Sequence, residues 1–93
     1  MKFSEHQSRL LCDMLKLIED FQKGNIQYFK LVYGLEGILD AGEFEDKNFI
    51  NQWYDLWVPL EEFAAVEGNH TTRKDVDKFL IKMVSLLKNV RDC

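Results

Sequence analysis

Apolar residues recur at three- and four-residue spacing along almost the whole chain, in four stripes separated by short clusters of Gly, Asn, Thr and Asp. The first stripe is Leu10, Leu11, Met14, Leu15, Leu17, Ile18 and Phe21. Ser4 with Gln7 three positions on is a capping-box pattern and Gly24 a left-handed terminator, so the spacing predicts a helix over Glu5 to Lys23. Asn25 then caps a second helix from Ile26 to Ala41, which ends at Gly42 and carries Tyr28, Leu31, Val32, Leu35, Ile38 and Leu39 on one side. After the acidic connector Gly42-Glu43-Phe44-Glu45, Asp46 caps a third helix from Lys47 to Glu67. Its core face is Phe49, Ile50, Trp53, Leu56, Trp57, Leu60, Phe63 and Ala64.

Pro59 falls inside that third stripe, where it removes a backbone donor at a cost of about 3 kcal/mol. The stripe stays in phase across it. One kinked helix is therefore expected, with two separate helices as the alternative. Gly68 to Thr71 makes a turn, and Thr72 with Asp75 starts a fourth helix whose stripe is Val76, Phe79, Leu80, Met83, Val84, Leu87 and Val90. Three short connections favour antiparallel neighbours, so the expected fold is all-α, an up-down four-helix bundle with helix 3 kinked or split at Pro59. Residues 1 to 93 form one domain.

Composition narrows the class. With 46% hydrophobic and 13% aromatic residues and one proline, the chain has enough apolar surface to offset the entropy of ordering. Glu5, His6, Gln7 and Arg9 interrupt any signal-peptide core, and no apolar run is long enough to span a bilayer. Cys12 and Cys93 are too sparse for the framework of a small secreted domain, so reduced thiols and a cytoplasmic setting are expected. The net charge of −4 hides a lopsided distribution: from Glu36 to Glu67 nine acids face Lys47 alone, while both ends are weakly basic.

Catalytic chemistry finds no footing. His6 and His70 are the only histidines, and neither lies at a spacing that pairs it with Cys12. Glu67-Gly68-Asn69-His70 spells the Glu-x-x-His of di-iron bundles, but Gly68 and Asn69 break the helix that the motif requires and no second copy exists. There is no phosphate loop and no zinc spacing, so neither enzyme activity nor a cofactor or metal is expected. The basic side of the fourth helix, Arg73, Lys74, Lys78, Lys82, Lys88 and Arg91, is a solvated face; without an aromatic platform, and beside so acidic a middle, it does not indicate nucleic-acid binding.

A surface remains. Phe29, Tyr33, Glu36 and Asp40 follow one line beside the core face of the second helix. Tyr54, Asp55, Val58, Glu61 and Glu62 point away from Trp53 on the third, and Glu43, Phe44, Glu45 and Asp46 lie between them. Aromatics among carboxylates suit a partner protein with a basic surface, whereas core positions for Phe29 and Phe44 would leave the acids to solubility. Gly34, Gly37 and Ala41 form a small-residue patch, used for close packing inside the chain or for a homodimer.

In its length, its four helices and its acidic, aromatic middle from Glu36 to Glu67, the chain resembles the small all-helical immunity proteins with which bacteria neutralise their own toxins, of the colicin-type or contact-dependent growth inhibition systems. The resemblance implies a cytosolic inhibitor that covers a basic toxin domain, a nuclease, with its carboxylates and aromatics. The face it implies is Tyr33, Glu36, Asp40, Glu43, Glu45, Asp46, Tyr54, Asp55, Val58, Glu61 and Glu62. A regulatory or structural bundle, dimeric through the small-residue patch, is the alternative.

Overall fold

Four helices account for nearly all of residues 3–90, the part of the chain described by a computed structural model. α1 spans Glu5–Gln22, α2 Tyr28–Gly42, α3 Lys47–Glu67 and α4 Arg73–Val90, with a single 3₁₀ turn, Gly68–His70, between the last two. The helices approach one another in ring order, α1 on α2, α2 on α3, α3 on α4 and α4 back on α1. This is the expected four-helix bundle. Each helix contributes its stripe to one core: Leu11, Met14 and Ile18 from α1, Leu31 and Leu35 from α2, Phe49, Trp53 and Leu60 from α3, and Val76, Leu80 and Met83 from α4 are all fully buried.

α3 keeps its boundaries and runs uninterrupted through Pro59, so the two-helix alternative does not hold. The amide that Pro59 lacks would have served the carbonyl of Asp55, whose residue is exposed. Two side chains lock α3 against α2. The Trp57 indole donates to the carbonyl of Val32 at 2.9 Å, and the Tyr28 hydroxyl donates to the carbonyl of Leu60 at 2.7 Å. A carbonyl oxygen has a second lone pair, so each of these bonds adds to the helical ladder without replacing a rung. Together they fix an antiparallel register in which the start of α2 meets the end of α3.

Burial, and secondarily the charge of Asp75, raises the pKa of the Tyr28 phenol. A folded pKa above the unfolded value of about 10 means that the neutral phenol's contribution is intact below that pH and is lost as pH rises above it. Alkaline melts should therefore show stability falling from about pH 10 upward. A Tyr28→Phe variant, which has no proton to lose there, should show a shallower fall.

The helix ends are tied by more than local caps. The Ser4 and Gln7 box is present, each side chain serving the other's backbone amide at 3.0 Å, and the Gln7 side-chain NH2 also donates to the carbonyl of Gly42 at 2.9 Å. Gly42 is itself buried against the Phe44 ring, where a Cβ would collide, so the left-handed position falls to Glu43 (φ 48°), one residue later than expected. Phe44 packs with Phe3 and Phe49 in a three-ring plug, with centroids 5.3–5.5 Å apart, and is thus a core residue. At the start of α4, Thr72 and Asp75 exchange side-chain-to-amide bonds. Arg73 donates to the carbonyl of Gln22 at 2.9 Å, placing a cation on the C-terminus of α1.

The start of α2 differs from the sequence reading. Asn25 does not cap it; the helix begins at Tyr28, and the capping residue, Gln27, makes no side-chain bond to the helix. Asn69 supplies the cap from the α3–α4 turn at the same end of the bundle, accepting from the amide of Phe29 at 2.9 Å and donating to the Gln27 side chain at 3.2 Å. Asn69→Ala should cost about 1 kcal/mol in a urea melt, whereas Asn69→Asp, which keeps an acceptor at a helix N-terminus, should cost less. Equal losses would deny Asn69 the capping role.

Gly34 is the close-packing glycine: a Cβ there would meet Leu17 of α1 at 2.8 Å. Gly37 and Ala41 are exposed and have no such neighbour to accommodate. Cys12 is disulfide-bonded, contrary to the reduced thiol expected from the cysteine count. Arg91, part of the expected basic face, lies outside the described residues, as does Cys93.

Candidate functional site

The antiparallel register of α2 and α3 brings most of the acidic and aromatic residues to a single seam. Leu35 and Leu39 point inward from α2, so Phe29, Tyr33, Glu36 and Asp40, about 100° and more around the helix, form its edge toward α3. From α3, Tyr54, Val58 and Glu61 face them in the same way. Phe29 is 42% exposed, Tyr33 47% and Val58 44%, which makes them three large apolar side chains on one surface. The rings of Phe29 and Tyr33 lie 5.9 Å apart.

Tyr54 sits where the edges converge. Its ring stands edge-on to Trp53 and Trp57, at 5.1 and 5.9 Å, so buried indoles hold it in place from behind. Partial burial raises its pKa, and the negative charges of Glu36 and Asp40 raise it further, as they must if both carboxylates lie close to the phenol. At the connector end the same seam opens into a notch of about 200 Å³, lined by Leu39, Asp40, Glu43, Phe44, Ile50 and Tyr54. That volume is below the roughly 300–1,000 Å³ of small-molecule sites. It suits the side chain of a partner, with an apolar floor for methylenes and carboxylates for a cationic head.

Among the described residues, no ion pair includes these acids. The ion pairs among the described residues, Arg9 with Glu5, Lys23 with Glu19 and Arg73 with Asp77, all lie on α1 or α4. The seam therefore presents Glu36, Asp40, Glu43 and Glu61 to solvent as a negative strip beside exposed aromatics.

The chain matches no protein-family model, no curated protein and no solved structure.

The expected face divides. Tyr33, Glu36, Asp40, Glu43, Tyr54, Val58 and Glu61 are brought together. Glu45 is exposed on the connector just beyond the notch. Asp46 is half-buried and accepts from the amide of Phe49 at 2.9 Å, so its carboxylate is occupied as the cap of α3. Asp55 and Glu62 lie on the other side of α3, each bordering a groove toward α4. The reason is angular: both sit 180° to 200° from Trp53, whereas Tyr54 and Glu61 sit 80° to 100° from it on the α2 side.

Phe29 was open between core and surface and proves to be surface; Phe44 is core. The notch floor, Leu39 and Ile50, was read only as core, although Ile50 lies at the edge of its stripe and is half-buried. His6 and His70 are both exposed, and no group of three or more His, Cys, Asp or Glu among the described residues is placed to hold a metal ion. No described helix is long and apolar enough to cross a membrane.

Proposed function

We propose that this chain is a protein inhibitor that binds a cationic protein domain through the α2–α3 seam, and that the domain is a bacterial toxin for which this chain is the immunity partner. The observation that carries the reading is the acidic strip of Glu36, Asp40, Glu43 and Glu61, free of ion pairs among the described residues, set beside the exposed rings of Phe29 and Tyr33 and the half-buried ring of Tyr54. Aromatic rings at the centre of an interface supply desolvated contact, while carboxylates around them steer a basic partner and penalise an acidic one. The notch adds a place for one anchoring lysine or arginine. The toxin assignment rests on the resemblance to immunity proteins. Catalysis plays no part in this reading, because the chain acts by occupying a surface.

The test is rescue. A toxin domain encoded immediately upstream of this chain's reading frame should arrest growth when expressed alone and not when this chain is co-expressed. Growth arrest that persists despite a folded, expressed chain would overturn the reading, as would a reading frame with no toxin domain beside it.

A further inference from the structure

A second surface lies on the opposite side of α3. Along the α3–α4 face runs a groove made of two hollows, an apolar one lined by Pro59, Phe63, Val66 and Phe79 and a more polar one in which Leu56 and Leu86 lie among Gln52, Ser85 and Asn89. Val66 is 84% exposed, an unusual setting for a β-branched apolar residue in the last turn of a long helix. The rims carry opposite charge. On the α3 rim stand Asp55, Glu62 and Glu67 and on the α4 rim Lys82; Lys78, one helical turn before Lys82 and with its ammonium 5.0 Å from the centre of the Phe79 ring, extends the basic row. The groove keeps the two rows apart: none of the ion pairs among the described residues joins them.

We infer that this groove is the interface of a homodimer. Two copies packing groove to groove are related by a two-fold axis lying in the interface, and an interface of this kind must be complementary to itself. If the axis runs parallel to the helices, α3 of one copy covers α4 of the other at the same height. The acidic rim of each copy then meets the basic rim of its partner, and the apolar floors close on each other. If the axis runs across the helices, α3 covers α3 and acid faces acid. The charge distribution thus selects the first arrangement and no other.

The same logic disfavours an unrelated partner, which would have to reproduce both an acidic and a basic row at this spacing. From Gln52 to Val66 the groove is about 21 Å long at 1.5 Å per residue, so a single helix pair buries an area at the low end for stable complexes. The dimer is therefore weak and in equilibrium with monomer. It leaves the α2–α3 seam free, so a dimer would present two seams.

Sedimentation equilibrium of the full chain from about 5 to 500 µM is the experiment, a range suited to interfaces of this size. The account expects a concentration-dependent monomer–dimer equilibrium that weakens with added salt. Glu62→Lys and Lys78→Glu, both at exposed positions, should each weaken dimerisation about tenfold or more, since each change places like charges together twice. The double variant Glu62→Lys/Lys78→Glu should regain most of the wild-type affinity, because the swap restores both pairs across the two-fold. Val66→Asp should leave a folded monomer. A chain that stays monomeric throughout the range would overturn the inference. So would a double variant no better than either single one, or a dimer broken by Ala41→Arg and untouched by these changes.

Discussion

Replacing Trp53 by Ala should destabilise the chain by about 3 to 5 kcal/mol, a large share of the roughly 5–15 kcal/mol that holds a domain of this size together. Trp53 is completely buried at the centre of α3, stacked on Trp57 at 5.8 Å and edge-on to Tyr54, so truncation opens a cavity under the seam as well as in the core. Its indole N–H makes no hydrogen bond among the described residues, so the cost is one of packing. A urea melt measures it. A loss below about 1 kcal/mol would contradict the packing described here, since no side chain so enclosed is truncated so cheaply. Trp57→Phe removes the bond to Val32 that sets the α2–α3 register together with part of the buried ring, and should cost less than Trp53→Ala.

The second large effect lies at the seam. If the proposed toxin partner binds the seam, reversing Glu36, Asp40 and Glu61 together to lysine should slow its association by tenfold to a hundredfold, the scale of electrostatic steering, and raise Kd by roughly a hundredfold or more. Salt dependence gives the sharper signature. For the wild-type chain the association rate should fall as salt rises, and for the reversed chain it should rise, because screening then relieves repulsion. These side chains are exposed or half-buried and make no ion pair among the described residues, so the reversed chain should keep its melt within about 1 kcal/mol of wild type. The same triple reversal placed on Asp55, Glu62 and Glu67 should change toxin binding far less, since those residues border the groove on the far side of α3.

Much of the fold was legible in the spacing alone because a stripe such as Val76, Leu80, Met83 and Leu87 has one reading, a helix with a buried face. The boundaries of α3 followed from Asp46 and Gly68, two residues whose capping chemistry is local. The start of α2 did not follow, because its cap is Asn69, forty residues away, and no local pattern encodes a donor–acceptor pair made by tertiary folding. Glu43 adopts the left-handed conformation for a similar reason: Gly42 is already committed to the Phe44 ring.

The seam was half legible. Helical angles place Glu36 and Asp40 on one edge of α2, but deciding which residues of α3 join them requires knowing which side of α3 meets α2. The pair Trp57–Val32 and Tyr28–Leu60 settles that, assigning Tyr54 and Glu61 to the seam and Asp55 and Glu62 to the groove. The groove had one sequence signal, Val66, an apolar residue outside the stripe on the same side as Pro59 and Phe63.

The central claim is where the partner lands, and backbone amide chemical-shift mapping of the labelled chain, titrated with the unlabelled cognate toxin domain, tests it most directly. The largest changes should fall on Phe29 to Glu43 and on Tyr54 to Glu61, with little change along the outer faces of α1 and α4. Perturbations concentrated on the α3–α4 groove or on α1, with the seam amides unmoved, would contradict the account.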